Sequence, residues 1–102
     1  MIMTLSELKD YYADRAKRYG SVFLLRPKDA LAFMNDGVTY GFILEGVEGF
    51  KITSTGACQP SQDHSNDFAD SGCNQTEFIK KTQRFVADRA GLDIWFEVVF
   101  SG

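Results

Sequence analysis

The sequence predicts an α+β domain, with a mainly antiparallel sheet packed against helices. Two observations predict it: apolar residues recur at helical spacing in three segments, and short apolar runs typical of strands lie between and after these segments. The chain has 102 residues, of which 44% are hydrophobic, so it has the size of one domain with its own core. Without its first helix, the predicted order is βαββαβ, which is the order of a ferredoxin-like sandwich.

The first two elements are predicted to be a helix over residues 5–19 and a strand over residues 21–26. Thr4 and Glu7 have the spacing of a capping box, and apolar residues follow at spacings of three and four. Gly20 is expected to cap the end of this helix. The strand is a continuous apolar run, which predicts burial on both of its faces.

The next elements are predicted to be a short helix and a β-hairpin. Pro27 suits the first position of a helix, and the Asn-Asp-Gly sequence at residues 35–37 is expected to end it. Residues 38–45 alternate between apolar and polar positions, which predicts a strand. Residues 46–49 contain two glycines and predict the turn, so residues 50–53 become the partner strand.

A long polar loop is predicted at residues 55–74, because this segment lacks periodicity and is rich in Ser, Asp, Asn and Gln. Asn74 is expected to cap a third helix, and residues 92–100 to form a last strand with apolar residues on both faces. Such a strand needs a cover on its second face, which the first helix or a second subunit would supply. If it lies at a sheet edge, it could also pair with another chain.

Charge is unevenly distributed along the chain, whose net charge is -3. Residues 9–28 hold six basic and two acidic residues, whereas residues 29–79 hold eight acidic residues and one lysine. An acidic balance opposes contact with nucleic-acid phosphates. No apolar run is long enough to span a membrane, and the first residues lack the pattern of a signal peptide. The sequence therefore predicts a cytoplasmic location and no membrane partner.

The predicted loop contains the candidate metal ligands Cys58, His64 and Cys73. Zinc accepts thiolate and imidazole ligands, but the spacing of these three residues matches no standard zinc pattern. A disulfide between the cysteines is the other alternative, although free thiols are expected in a reducing compartment. The acidic residues from Asp63 onward do not fit the EF-hand pattern for calcium. No metal and no cofactor are predicted.

Two functions remain as alternatives to protein binding. The first is an RRM-like binder of single-stranded nucleic acid, in which Phe23 and Phe50 on the first and third strands of the βαββαβ order would stack on bases. The second is a small thiol- or metal-dependent enzyme, in which a cysteine would be activated by His64. Common catalytic motifs are absent from the sequence, so no catalytic residue is predicted.

The function predicted from the sequence is a non-enzymatic protein-binding module, most simply a small acidic inhibitor that blocks a basic surface on its partner. Bacterial immunity proteins, antitoxins and phage-encoded blockers of bacterial defence have this size and charge. Electrostatic steering would accelerate such an association. A homodimer is compatible with all three functions. The predicted partner-binding residues are Glu45, Glu48, Asp63, His64, Asp67 and Asp70.

Overall fold

A computed structural model describes residues 3–101, so both ends of the predicted domain, Met1 and Gly102, lie outside the described residues. The helices are α1 (Leu5–Tyr12), α2 (Pro27–Thr39) and α3 (Gln75–Ala87). The strands are β1 (Lys17–Tyr19), β2 (Val22–Leu24), β3 (Ile43–Ile52), β4 (Cys58–Asp67) and β5 (Trp95–Ser101). The predicted α+β class is confirmed. No helix among the described residues is long and apolar enough to cross a membrane.

The main sheet is antiparallel and has the strand order β4-β3-β5, while β1 and β2 form a separate antiparallel hairpin. The hairpin joins the main sheet at one bridge, where Leu25 and Phe96 exchange backbone hydrogen bonds of 2.9 and 2.7 Å. Strand β2, which is the first strand of the βαββαβ order, therefore lies next to β5 at the side of the main sheet. A ferredoxin-like sandwich has its first strand in the centre of the sheet, so that specific order is not confirmed.

The first helix is shorter than predicted. The capping box is present, and the Glu7 backbone N–H donates to Thr4 Oγ1 over 3.1 Å. The helix ends at Tyr12, however, and residues 17–19 pair with β2 in the hairpin. Gly20 has a φ of 61° in the two-residue loop of this hairpin, as a type II′ turn requires. It is therefore a turn residue rather than a helix cap, and the prediction of one helix over residues 5–19 is wrong.

The second helix begins at Pro27 as predicted but continues two residues beyond Gly37. Residue 37 is a glycine although it lies inside the helix, because a Cβ at this position would collide with the Phe100 ring. The helix ends in a Schellman motif at Gly41, where the Phe42 N–H donates to the Gly37 carbonyl over 3.0 Å. The predicted helix end at residues 35–37 is therefore wrong, and so is the predicted strand start at residue 38.

Strand β3 continues through residues 46–49, where the sequence predicted a turn. Gly46 and Gly49 are close-approach positions, because a Cβ on either would collide with the backbone of β4. The register shifts next to both glycines, which marks β-bulges. The chain turns instead between β3 and β4, where the Thr53 N–H donates to the Ala57 carbonyl over 2.8 Å. The hairpin partner is thus β4, which occupies much of the predicted loop 55–74.

Two apolar clusters hold the layers together. The larger cluster fills the space between the helices and one sheet face, and it includes Phe33, Phe78 and Phe96. The smaller cluster covers one half of the second sheet face, where Leu24 of the hairpin packs on Phe50 and Trp95. The cover that the sequence required is therefore the β1–β2 hairpin, not the first helix.

The third helix begins where the sequence predicted it, and the last strand begins three residues later than predicted. Asn74 caps α3, since its Oδ1 accepts the Glu77 backbone N–H over 2.9 Å. Strand β5 lies at one side of the three-stranded sheet, as expected for an edge strand. Its Val98 and Phe100 are nevertheless buried, and Leu25 pairs with it from outside. The outer edge of β5 is therefore already paired at Phe96, whereas no strand among the described residues pairs with the outer edge of β4.

Candidate functional site

The half of the second sheet face that the β1–β2 hairpin leaves uncovered forms a groove together with β4. This groove has a volume of about 740 Å³, and we call it the acidic groove. Its acidic lining residues are Glu45, Glu48, Asp67 and Asp70. Val99 contributes an apolar side chain that is 36% exposed. Among the described residues, no Lys, Arg or His lines this groove. The groove therefore combines concentrated negative charge with an apolar contact.

The groove carboxylates have no cationic partner among residues 3–101. The ion pairs in this part of the chain involve four other acidic residues, Asp10, Asp14, Asp29 and Asp93. Two groove carboxylates accept local hydrogen bonds, from Ser101 to Glu45 over 2.6 Å and from the Ala69 N–H to Asp67 over 2.9 Å. These bonds orient the side chains without neutralising their charge.

Glu48 also faces a second acidic residue, because it lies directly opposite Glu97 on the adjacent strand. Like charges in such a cross-strand pair repel each other. Burial raises the pKa of Glu97 and Glu48 raises it further, while a hydrogen bond from the Phe23 backbone and the charge of Lys9 act in the opposite direction. The sheet thus keeps an unfavourable carboxylate pair beside the groove.

We expect Glu97→Gln to increase stability by about 0.5 kcal/mol at neutral pH, because it removes a partly buried charge and its repulsion. The amide oxygen still accepts the Phe23 backbone hydrogen bond. A raised folded-state pKa means that the wild-type carboxyl becomes neutral first in the folded protein as the pH falls. The advantage of the variant should therefore shrink as the pH falls through that folded-state pKa. Urea unfolding of both proteins across this range checks the sign, and an advantage that grew on acidification would contradict it.

Asp63 and His64 belong to a part of β4 that bulges away from the ladder. The register passes from the Gly49–Ser61 pair to the Val47–Asn66 pair, so residues 62–65 have no partner of their own in it. Neither Asp63 nor His64 is among the residues that line the acidic groove. Four of the six predicted partner-binding residues are thus brought together, and these two are not among them.

The candidate metal ligands are not assembled into a site. Cys58 pairs with Ile52 at the hairpin-covered end of the sheet, and burial raises the pKa of its thiol. Cys73 instead accepts a hydrogen bond from Lys81 Nζ over 3.2 Å. Both cysteines are free, and the described residues contain no group of three His, Cys, Asp or Glu side chains that could hold a metal ion.

The aromatic residues that a nucleic-acid binder would need are buried. Phe23 is 3% exposed and Phe50 is 6% exposed, each within one of the two apolar clusters. Stacking on a base requires an accessible ring face. Neither ring offers one in this fold.

The opposite charges of the chain remain separated at the two ends of the second sheet face. Basic residues gather at the covered end, where Lys17 and Arg26 lie 5.1 and 4.2 Å from the centre of the Trp95 ring. The acidic groove occupies the open end. The uneven charge distribution along the sequence is therefore still present on this face of the folded protein.

No family model matches the chain, and neither a curated protein nor a solved structure matches it. The site residues that were not predicted from the sequence are Gly46 and Gly49, which let β4 approach β3, Val99, which lines the groove, and Arg89, whose Nε donates to His64 Nδ1. The two glycines carried a signal, since an isolated glycine within a strand pattern indicates a bulge or a close approach. Which half of the second sheet face stays open around Val99, and which residues Arg89 contacts, depend on tertiary packing, for which the sequence holds no such signal.

Proposed function

We propose that the protein is a non-enzymatic binding domain that docks its acidic groove on a basic surface of another protein. The observation that carries this proposal is the set of four groove carboxylates without a cationic partner around an exposed valine. A basic protein surface would supply the missing cations. Val99 would supply the apolar contact that protein interfaces bury at their centre.

An inhibitory role is the finer form of this proposal. A small domain that covers a basic surface excludes any other acidic ligand from it, and unpaired carboxylates accelerate the encounter through electrostatic steering. Such surfaces often serve nucleic-acid binding, because they recognise phosphates with lysine and arginine. A blocker of the immunity, antitoxin or phage-encoded anti-defence type would act in this way.

The experiment compares two triple variants that change net charge equally. The groove variant carries Glu48→Gln, Asp67→Asn and Asp70→Asn, in which the new amide at residue 67 can still accept its local hydrogen bond. A partner is first captured from host lysate with the wild-type protein, and association is then measured with the purified partner. We expect the groove variant to associate about tenfold more slowly at low salt, with the difference shrinking as salt increases.

The control variant carries Asp14→Asn, Glu77→Gln and Asp88→Asn, three exposed positions outside the groove. It should associate within about twofold of the wild-type rate, because only local complementarity is lost at a specific interface. If both variants slowed association equally, the groove would not be the binding surface. If neither variant nor added salt changed it, the electrostatic mechanism would be wrong.

A further inference from the structure

The bulge of β4 forms one wall of the acidic groove, and side chains rather than the sheet ladder hold it in place. Gln62 and Ser65 of the bulge line the groove. Ser65 Oγ accepts the Gly49 N–H over 3.3 Å and donates to the Ser61 carbonyl over 2.9 Å. Because residues 62–65 lack register partners, such side-chain bonds determine where this wall stands.

Arg89, just beyond the end of α3, is the anchor of the bulge on the helix side of the sheet. Its Nε donates to His64 Nδ1 over 3.0 Å, and its Nη2 donates to the Asp63 carbonyl over 3.3 Å. A third bond of 3.0 Å, to the Phe85 carbonyl, and stacking on the Phe85 ring fix the guanidinium against the helix. The helix thus holds two successive bulge residues through one side chain.

The contact between Arg89 and His64 requires a neutral imidazole. A guanidinium has only donors, so Nδ1 must present its lone pair, and a protonated imidazole has no acceptor. Protonation would also bring two cations together in hydrogen-bond contact. We propose that His64 is a pH-sensitive latch whose protonation breaks its contact with Arg89 and loosens the bulge that forms the outer wall of the acidic groove.

Charged groups of both signs lie near His64. From β3, Lys51 shares a surface depression of about 470 Å³ with the imidazole, and from the segment before β5, Asp93 lies in the same depression. Asp93 already pairs with Arg26 over 2.7 Å, whereas Lys51 adds a second positive charge. Asp63 is exposed and forms none of the ion pairs among residues 3–101. In direct contact, the protonated ring would face the Arg89 guanidinium, so repulsion between these two cations favours its release.

Backbone hydrogen exchange of residues 66–68, which join the ladder with β3 at the end of the bulge, tests the latch without any partner. Protection is compared at about pH 7.5 and about pH 5.5, after correction for intrinsic rates, a range in which histidine changes its charge. We expect the wild-type protein to lose about tenfold in protection at the lower pH, because a hydrogen bond involving a charged group is lost. His64→Asn places an amide oxygen near the Nδ1 position and cannot become protonated, so its protection should change by less than about twofold.

Arg89→Gln serves as the second variant, because it shortens the anchor and should lower protection at both pH values. Equal protection of the wild-type bulge at both pH values would overturn the latch, as would an equal loss in His64→Asn. The effect on binding rests on the proposed function, but the release of the bulge does not. A bulge that opens in acid on a groove that binds no basic protein would support the latch and refute the proposed function.

Discussion

Replacing Gly49 with alanine is expected to lower the free energy of unfolding by about 2 to 3 kcal/mol, through overpacking. The new Cβ would stand 2.5 Å from His64 Cβ and 2.6 Å from the His64 carbonyl oxygen. Since one of these atoms belongs to the backbone, β4 must move away from β3. Urea unfolding measures the loss of stability, and hydrogen exchange of residues 66–68, at the end of the bulge, shows whether β4 moves away from β3.

Gly91→Ala is the matched control, because a Cβ at that position meets no atom within 4 Å. It should leave stability unchanged or raise it by up to about 1 kcal/mol, since alanine reduces the entropy of the unfolded chain. If the two variants had equal stability, Gly49 would not mark a close approach between strands. The turn predicted at residues 46–49 would then regain support.

Replacing Trp95 with alanine is expected to cost about 3 kcal/mol, near the lower end for deletion of a large aromatic residue. Trp95 is 9% exposed and forms the smaller apolar cluster with Leu24 and Phe50. Lys17 and Arg26 lie over its ring, so the variant also removes two cation–π contacts. The β1–β2 hairpin would lose its main attachment to the second sheet face, and its amides should lose protection against exchange before those of β3.

Val99→Thr tests the same strand and the same face at a position that the hairpin does not cover. It keeps a β-branched residue at an exposed site, so stability should change by less than about 0.5 kcal/mol. It should nevertheless weaken partner binding, because the groove loses its apolar contact. A large stability loss in this variant would mean that the open half of the face is covered like the other half.

Local sequence patterns correctly predict some features of this fold and leave others open. The capping residues Thr4 and Asn74 and the helix start at Pro27 are correctly predicted, because each depends on atoms within four residues. The glycines at residues 46 and 49 are misread, because their role depends on a strand that lies more than ten residues further along the chain. A polar strand such as β4 also lacks the apolar alternation that identifies a strand.

The residues of the acidic groove also differ in whether the sequence alone could predict them. Its four carboxylates could be selected from the uneven charge distribution, because charge is a property of each residue. Asp63 and His64 belong to the same acidic segment, yet the bulge keeps them off the groove lining. Arg89 could not be associated with this region, since it contacts the bulge only after α3 has packed against the sheet.

The sequence by itself determined the α+β class, the helix starts, the burial of β2, the apolar residues on both faces of β5 and the separation of charge. Each of these follows from residue type and short-range spacing. Only the tertiary structure decided that β4 pairs with β3, that the hairpin covers half of the second face, and that the other half stays open and acidic. These features depend on contacts between distant segments, in which a missing Cβ or a single tryptophan determines how closely two backbones can pack.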